Sequence, residues 1–322
     1  MILPWRVTGA AGLVVLGILA ALAYWHQSRE RPLPADLRGT LVYLSDRAGP
    51  DGLFARDLPD GAERRLTWFT EPIRDPALAP DGRRVAFSMG GRIGVADLVS
   101  GDVRVLTLGI NWQDATPAWR KDGGALVVAA RSPGDAMSDL MILEPLDFSG
   151  QATGRVPLLT TRGLDESEPV FTPDARAVVF VREDNLFRIE LDTRRTRRLS
   201  SGFRKWRHPV FLPDGRLASL WREEKRFGVD AMDAEGRAHE TLSDGTTFYR
   251  TLAPSPDARY FAATFSFDLR FSPFEALRPR HVEEIRLLDA RGTEIAPLLR
   301  SWRVAFRSPQ WAPGPVRGDA DP

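Results

Sequence analysis

Pro80-Asp81-Gly82-Arg83 is a turn sequence that returns along the chain at a spacing of roughly forty residues, the period typical of β-propeller blades. Its further copies are Lys121-Asp122-Gly123-Gly124, Pro173-Asp174-Ala175-Arg176, Pro213-Asp214-Gly215-Arg216, Pro256-Asp257-Ala258-Arg259 and a decayed Ala312-Pro313-Gly314. The Asp-Gly pair suits a tight turn because glycine accepts a positive φ and the aspartate side chain accepts hydrogen bonds from backbone N–H groups of the same turn. The repeat therefore predicts a ring of similar units.

Each repeat contains four short segments with the alternation of antiparallel strands. In the second repeat these are residues 76–79, 84–88, 92–98 and 103–107, separated by turns rich in Asp, Gly and Ser. Such regular spacing predicts a sheet of four strands in every repeat. The fold class is therefore all-β.

The first repeat lacks its innermost strand, and the last residues of the repeat region supply one. Residues 40–45, 53–58 and 65–67 match the second, third and fourth strands, whereas 308–313 match an innermost strand and then stop. Pairing the C-terminal strand with the first blade closes the ring and removes its exposed edges. We predict a six-bladed propeller over residues 37–314, followed by a disordered tail at 315–322.

The N-terminal segment, residues 1–25, is predicted to be a transmembrane anchor. Residues 7–25 carry no charge, and a helix of that length spans nearly the ~30 Å hydrocarbon core of a bilayer. Ala21-Leu22-Ala23 also fits a signal-peptide cleavage site, so cleavage after Ala23 stays an alternative. Residues 26–36 are predicted to be a polar linker.

Composition excludes several classes of function. The chain has 322 residues, a net charge of +1 and 43% hydrophobic residues, which is compatible with a large core. A balanced charge argues against nucleic acid as a partner. The absence of cysteine excludes disulfides, thiolate catalysis and cysteine-bound zinc.

The turns resemble those of the TolB-type propeller family, a WD-repeat-like family. The resemblance covers about residues 38–314 and rests on the Pro-Asp-Gly-Arg turns and on a downstream Asp-Leu-x-x-Gly turn, here Asp97 to Gly101. TolB is a periplasmic partner of an outer-membrane lipoprotein and carries an α/β domain before its propeller, where this chain has an apolar segment. The resemblance implies a periplasmic propeller, and together with the apolar segment it predicts a bacterial single-pass inner-membrane protein. Arg29, Arg31 and Arg38 follow the apolar segment and favour the opposite orientation.

In such a propeller the repeated turns share one face, called the turn face below. The connections between blades and the turns between second and third strands share the other, called the loop face. Because the loop-face sequences differ from blade to blade, we expect the functional site to lie on that face. The expected partner is an envelope protein or polymer. The predicted binding residues are Trp68, Arg74, Trp112, Asp114, Glu168, Arg204, Trp206, Arg207, His208, Tyr249, Arg250, Trp302 and Arg307.

Two alternatives concern the central channel. Asp75, Glu168 and His208 begin innermost strands, so they form either a cation site or a hydrated polar funnel. A propeller enzyme acting on a glycan or peptide through His208 and channel carboxylates is the alternative function. The leading expectation is a monomeric, non-catalytic scaffold without metal or cofactor, since no hydrolase, phosphate or histidine metal motif occurs.

Overall fold

The computed structural model describes residues 31–107, 111–144, 146, 154–161, 163–268, 281–301 and 304–312. The regular elements of these residues are strands arranged in six four-stranded sheets, which confirms the all-β six-bladed propeller. Within the same ranges no helix has the length and apolar character needed to cross a bilayer. The predicted anchor at 1–25, its cleavage site and the tail at 315–322 lie outside the described residues.

Most strands have three to seven residues, and β21 and β22 have nine. In chain order they are β1 (Gly39–Ser45), β2 (Gly52–Leu58), β3 (Glu63–Arg65), β4 (Ile73–Leu78), β5 (Arg84–Met89), β6 (Arg92–Asp97), β7 (Val103–Val105), β8 (Gln113–Trp119), β9 (Leu126–Arg131), β10 (Asp139–Leu143), β11 (Arg155–Leu159), β12 (Glu166–Phe171), β13 (Ala177–Arg182), β14 (Asn185–Glu190), β15 (Thr196–Arg198), β16 (Lys205–Phe211), β17 (Leu217–Glu223), β18 (Arg226–Met232), β19 (Glu240–Gly245), β20 (Tyr249–Pro254), β21 (Tyr260–Asp268), β22 (His281–Asp289), β23 (Glu294–Leu299) and β24 (Phe306–Ala312).

The ring closes as the sequence predicts. The first sheet has the order β24-β1-β2-β3, with Thr40 opposite Ala312 and Ser45 opposite Phe306 in the antiparallel pair. The last strand is thus the innermost strand of the first blade. The Trp311 indole also donates a 3.0 Å hydrogen bond to the Ala253 carbonyl of the sixth blade. Closure leaves no blade with an unpaired inner strand.

The core lies between adjacent blades. Each sheet presents apolar side chains on both faces, and six clusters of buried residues fill the gaps. Phe87 and Phe180, both 0% exposed, are representative, and each such side chain contributes roughly 1.5–3 kcal/mol by its burial. Backbone hydrogen bonds such as Trp206 N–H to Asp184 O, 2.7 Å, tie neighbouring blades on the loop face. The blades therefore form one rigid ring.

The Pro-Asp-Gly-Arg turns have the predicted left-handed residue. Gly82 has a φ of 67°, and the alanines at the equivalent place, Ala175 and Ala258, have φ values of 56° and 58°. The turn aspartate accepts backbone N–H groups, as Asp81 does from Arg83 at 2.8 Å. These turns lie together on the turn face.

A bulge recurs in the innermost strands. Five blades place a residue with φ between 46° and 51° directly before a proline, and the pairing register shifts there. These residues are Asp75, Thr116, Glu168, His208 and Ser308. A bulge re-aims side chains, so these five line the central channel. The register also shifts in the sixth blade, between Tyr249 and Thr251, but Thr251-Leu252 stands there in place of a positive-φ residue and proline.

Candidate functional site

The channel wall is stabilised by its own polar residues. The Glu168 carboxylate accepts the backbone N–H of His208, which the bulge leaves without a strand partner. The Asp75 carboxylate accepts the Thr116 N–H at 3.4 Å and the Ser88 hydroxyl at 2.9 Å. At these two places a carboxylate of one blade satisfies a backbone donor of the next blade. These carboxylates have a structural role in the ring.

His208 is likewise held in the wall. Its Nε2–H donates to the Leu252 carbonyl of the sixth blade at 3.0 Å. Burial lowers the pKa of the His208 imidazole, and the negative charge of Glu168 opposes that change. Among the residues that the structure describes, no three His, Asp or Glu side chains are grouped so that they could share a metal ion. The arrangement fits the polar-funnel alternative better than a cation site.

A charged basin of about 500 Å³ opens on the loop face beside the channel. Its charged side chains are Arg74, Arg250, Arg307, Asp51, Asp75 and Glu283. Arg307 lies 2.9 Å from Glu283 and 3.3 Å from Asp51, and Arg250 lies 3.7 Å from Glu283. Burial raises the pKa of Asp51, although Arg307 opposes the change. The basin holds equal numbers of both charges in a fixed network.

An aromatic pocket of about 260 Å³ lies next to the basin. Phe227 and Phe248 contact each other with ring centroids 5.1 Å apart, above the buried Trp221. Its charged lining residues are Lys205, Arg207, Arg222, Arg250 and Glu168. Lys205 and Arg207 share one counter-ion, Asp184. Cations therefore outnumber carboxylates around an apolar floor.

Arg250 lines the channel, the charged basin and the aromatic pocket alike. It precedes Thr251, the position where the repeat breaks. Its side chain is 47% exposed, so it is accessible from the loop face. Arg250 is the residue at which the three loop-face features meet.

Four other predicted residues serve packing instead of a surface contact. Trp206 is 2% exposed and Tyr249 is 8% exposed, both within interblade clusters. Asp114 is 2% exposed and paired with Arg155. Arg204 pairs with the buried Asp230 and stacks over a tryptophan ring. Asp114, Trp206 and Tyr249 lie in strands, whose alternation turns these side chains toward the gap between blades. Arg204 precedes β16 and is half-buried.

The remaining predicted residues divide into accessible and undescribed ones. Trp68 is 53% exposed, and Arg74 lies exposed in the charged basin. Trp112 is half-buried under the Arg155 guanidinium, 4.6 Å from its ring. Trp302 lies outside the described residues. The loop-face residues brought together are thus Arg74, Glu168, Arg207, His208, Arg250 and Arg307.

Three accessible loop-face residues were missed. Phe203 is 93% exposed, Phe248 is 39% exposed, and Arg222 is exposed in the β17–β18 region. Phe248 directly precedes the inward Tyr249, so alternation would place it outward once the start of β20 is known. The alternation of residues 248 and 249 could have identified Phe248 from the sequence, but only if the first residue of β20 had been known.

The fold and the loop face define a six-bladed β-propeller with one non-repetitive face. No protein-family model matches the chain. It is similar to the TolB homologue of Chlorobium luteolum, 28% identical over 163 residues, and to that of Chlorobium chlorochromatii, 31% identical over 146 residues. These matches cover 49% and 44% of this chain but only 35% and 30% of the relatives. The chain thus matches about a third of the length of these curated relatives.

Solved structures agree on the fold. TolB from Acinetobacter baumannii superposes with a TM-score of 0.66 and 19% identity, covering 87% of this chain and 68% of that one. An oligogalacturonate lyase in complex with manganese has a TM-score of 0.57 and 17% identity, covering 80% and 74%. At such identities the likeness concerns the fold alone, and that fold is shared with enzymes. The predicted resemblance to TolB-type propellers is confirmed.

Proposed function

We propose that this protein is a non-catalytic scaffold that binds a protein or envelope polymer on its loop face. The observation that carries the proposal is the position of Arg250, an accessible cation where the channel, the charged basin and the aromatic pocket meet. The turn face repeats one turn from blade to blade, whereas this corner does not. Function on a rigid scaffold commonly resides in such unlike loops.

The chemistry of the corner favours a protein segment that combines acidic and apolar side chains. Four cations and the Glu168 carboxylate line the aromatic pocket, and the cations still outnumber the carboxylates when the counter-ions Asp184 and Glu283 are counted. A carboxylate of the partner therefore gains a favourable field. Phe248 offers an exposed ring beside them, and aromatic residues and arginine are enriched at binding hot spots. An acidic protein segment is therefore the favoured ligand over a neutral polymer.

The cellular setting belongs to the same proposal. Residues 7–25 anchor the chain as a single pass in the bacterial inner membrane, and the propeller works as a monomer in the periplasm. The support is the uncharged run itself and the similarity to TolB homologues. The membrane and an envelope partner are then contacted by separate parts of one chain.

The described residues give no specific support to the alternative hypothesis of an enzyme. His208, the predicted acid–base group, donates its Nε2–H to a backbone carbonyl, and Glu168 accepts a backbone N–H. Groups engaged in this way hold the wall of the ring. Scaffold binding accounts for the accessible residues without asking these two to leave their partners.

Site-specific photo-crosslinking in cells tests the proposed face. A photoreactive phenylalanine replaces Phe248 on the loop face or Val99 in the β6–β7 turn, which are 39% and 45% exposed. We expect a discrete crosslinked product from position 248 that is lost in Arg250→Glu, and none from position 99. Equal products from both positions, or a product at 248 unaffected by Arg250→Glu, would contradict the proposal.

A further inference from the structure

The segment just before the first strand is clasped to the sixth blade. The Asp36 carboxylate pairs with Arg259 and accepts the Tyr260 hydroxyl at 2.8 Å. Leu37 is 0% exposed in the cluster shared by the first and sixth blades, and Leu33 packs against the same cluster. The predicted linker 26–36 is thus fixed over its last residues. We call residues 31–37 the clasp.

The clasp lies on the turn face. Arg259 belongs to the repeated turn Pro256-Asp257-Ala258-Arg259, and its partner Asp36 therefore sits at that turn. Further upstream, Arg31 donates to the Ile295 carbonyl at 3.4 Å, at the start of the outermost strand of the sixth blade. The chain thus enters the propeller from the outer rim of the turn face and then runs through β1 toward the loop face.

We propose that the clasp orients the propeller with its turn face toward the membrane and its loop face away from it. This inference rests on the proposed anchor at residues 7–25. The five residues 26–30 reach at most about 18 Å when fully extended, at ~3.6 Å each. The seven residues of β1 carry the chain roughly 23 Å further, at ~3.3 Å each, before it reaches the loop face.

The orientation constrains the kind of partner. A loop face that points away from the bilayer binds a macromolecule arriving from the opposite side of the compartment, not the headgroups of the membrane that holds the anchor. An acidic protein segment satisfies both this direction and the cation excess of the aromatic pocket. An anionic lipid surface satisfies only the charge.

Energy transfer in vesicles tests the orientation. The chain contains no cysteine, so single cysteines label cleanly. Full-length protein carrying Ala48→Cys, in the loop-face β1–β2 turn, or Asp60→Cys, in the turn-face β2–β3 turn, is reconstituted with acceptor-labelled headgroups. We expect transfer at position 60 to exceed that at 48 by about twofold or more, because one strand length separates them. Equal transfer, or more transfer at position 48, overturns the proposal.

The clasp has a direct control. Asp36→Ala removes the Arg259 and Tyr260 contacts and should bring the two transfer efficiencies together, whereas Asp81→Ala, at a turn without a clasp, should keep them apart. A difference that persists in Asp36→Ala overturns the role of the clasp. If Asp36→Ala does not fold, the wild-type comparison still decides the orientation. Protein recovered in the soluble fraction refutes the anchor itself, and failure of loop-face crosslinking refutes the binding proposal separately.

Discussion

Trp206 and Phe203 are three positions apart and have opposite surroundings. The Trp206 side chain is 2% exposed in an interblade cluster, and Phe203 is 93% exposed on the loop face. The difference follows from the start of β16 at Lys205, which turns the next residue inward. Aromatic character alone therefore does not mark a binding residue on this face.

Replacement of each aromatic residue separates packing from surface roles. Trp206→Ala should lower the free energy of unfolding by about 3–5 kcal/mol, since it leaves a large cavity. Phe203→Ala should change it by no more than about 0.5 kcal/mol. Denaturant unfolding of the two variants measures both values, and similar losses would contradict the assigned positions.

Glu166 makes the stability of the contact between the third and fourth blades depend on pH. Burial raises the pKa of this carboxyl from 4.5 to about 7, while the ion pair with Arg182 at 2.9 Å opposes the change. Because the folded-state pKa lies above the unfolded one, this contribution to stability is complete below pH ~4.5 and is lost as pH rises through about 7.

The corresponding variant is Glu166→Gln. The wild-type free energy of unfolding, minus that of the variant, should fall between pH 4.5 and 7 by an amount on the order of 3 kcal/mol. Other titrating groups cancel in the difference. Parallel pH profiles for the two proteins would show that Glu166 does not titrate in this window.

The sequence could assign residue types to the loop face but not their directions. Arg74, Arg207 and Arg250 are exposed, whereas Asp114 and Tyr249 are buried between blades. Direction depends on where each strand begins and on the bulge that shifts its register. Neither is set by the local sequence alone.

At the level of elements, the repeated turn is under unequal backbone strain. Gly82 accepts its positive φ freely, whereas Ala175 and Ala258 occupy the same left-handed region with a side chain. An L-residue there costs roughly 1–2 kcal/mol. Replacement by glycine removes this strain but adds a smaller cost, because glycine loses more backbone entropy on folding. The two alanine turns are therefore sites where the fold can be stabilised.

Ala258→Gly should raise the free energy of unfolding by about 0.5–1 kcal/mol, since relief of the left-handed strain exceeds the entropy cost. The matched control is Ala177→Gly in β13, where the same change lowers stability by at least about 0.5–1 kcal/mol. Thermal unfolding of the two variants gives the comparison. A loss of stability in both would contradict the strain at Ala258.

The elements themselves were well predicted because their signal is local. Turn residues and alternation recur in every blade, so the strands of the second blade lie close to their predicted bounds. The bulges at residues such as Glu168 and His208 were not predicted. A residue with positive φ before a proline runs against the local preference, and here a side chain of the neighbouring blade satisfies its N–H.

At the level of the whole molecule, stability depends on closure of the ring. The seven-residue strand β24 supplies the inner strand of the first blade and the tryptophan that reaches the sixth. The clasp packs against the hydrophobic cluster between the same two blades. Closure was predictable from the incomplete first repeat, whereas the clasp was not, because its contacts join residues far apart in sequence.

Truncation tests closure. Removal of residues 306–322 deletes β24, exposes the edge of β1 and should abolish cooperative unfolding or cause aggregation. Removal of 315–322 alone, the predicted tail, should leave the melting temperature unchanged. A stable monomer after the longer deletion would show that the ring does not depend on its last strand.

The central claim is that the loop face binds through the corner at Arg250. The direct measurement is the affinity of the purified partner, once crosslinking has identified it, for wild type, Arg250→Glu and Arg104→Glu. Arg104→Glu is the control, a charge reversal at an exposed arginine of β7 away from the corner. We predict at least about a tenfold loss, or ~1.4 kcal/mol, in Arg250→Glu, with Arg104→Glu unchanged. Equal affinities in all three proteins, or a loss confined to Arg104→Glu, would contradict the account.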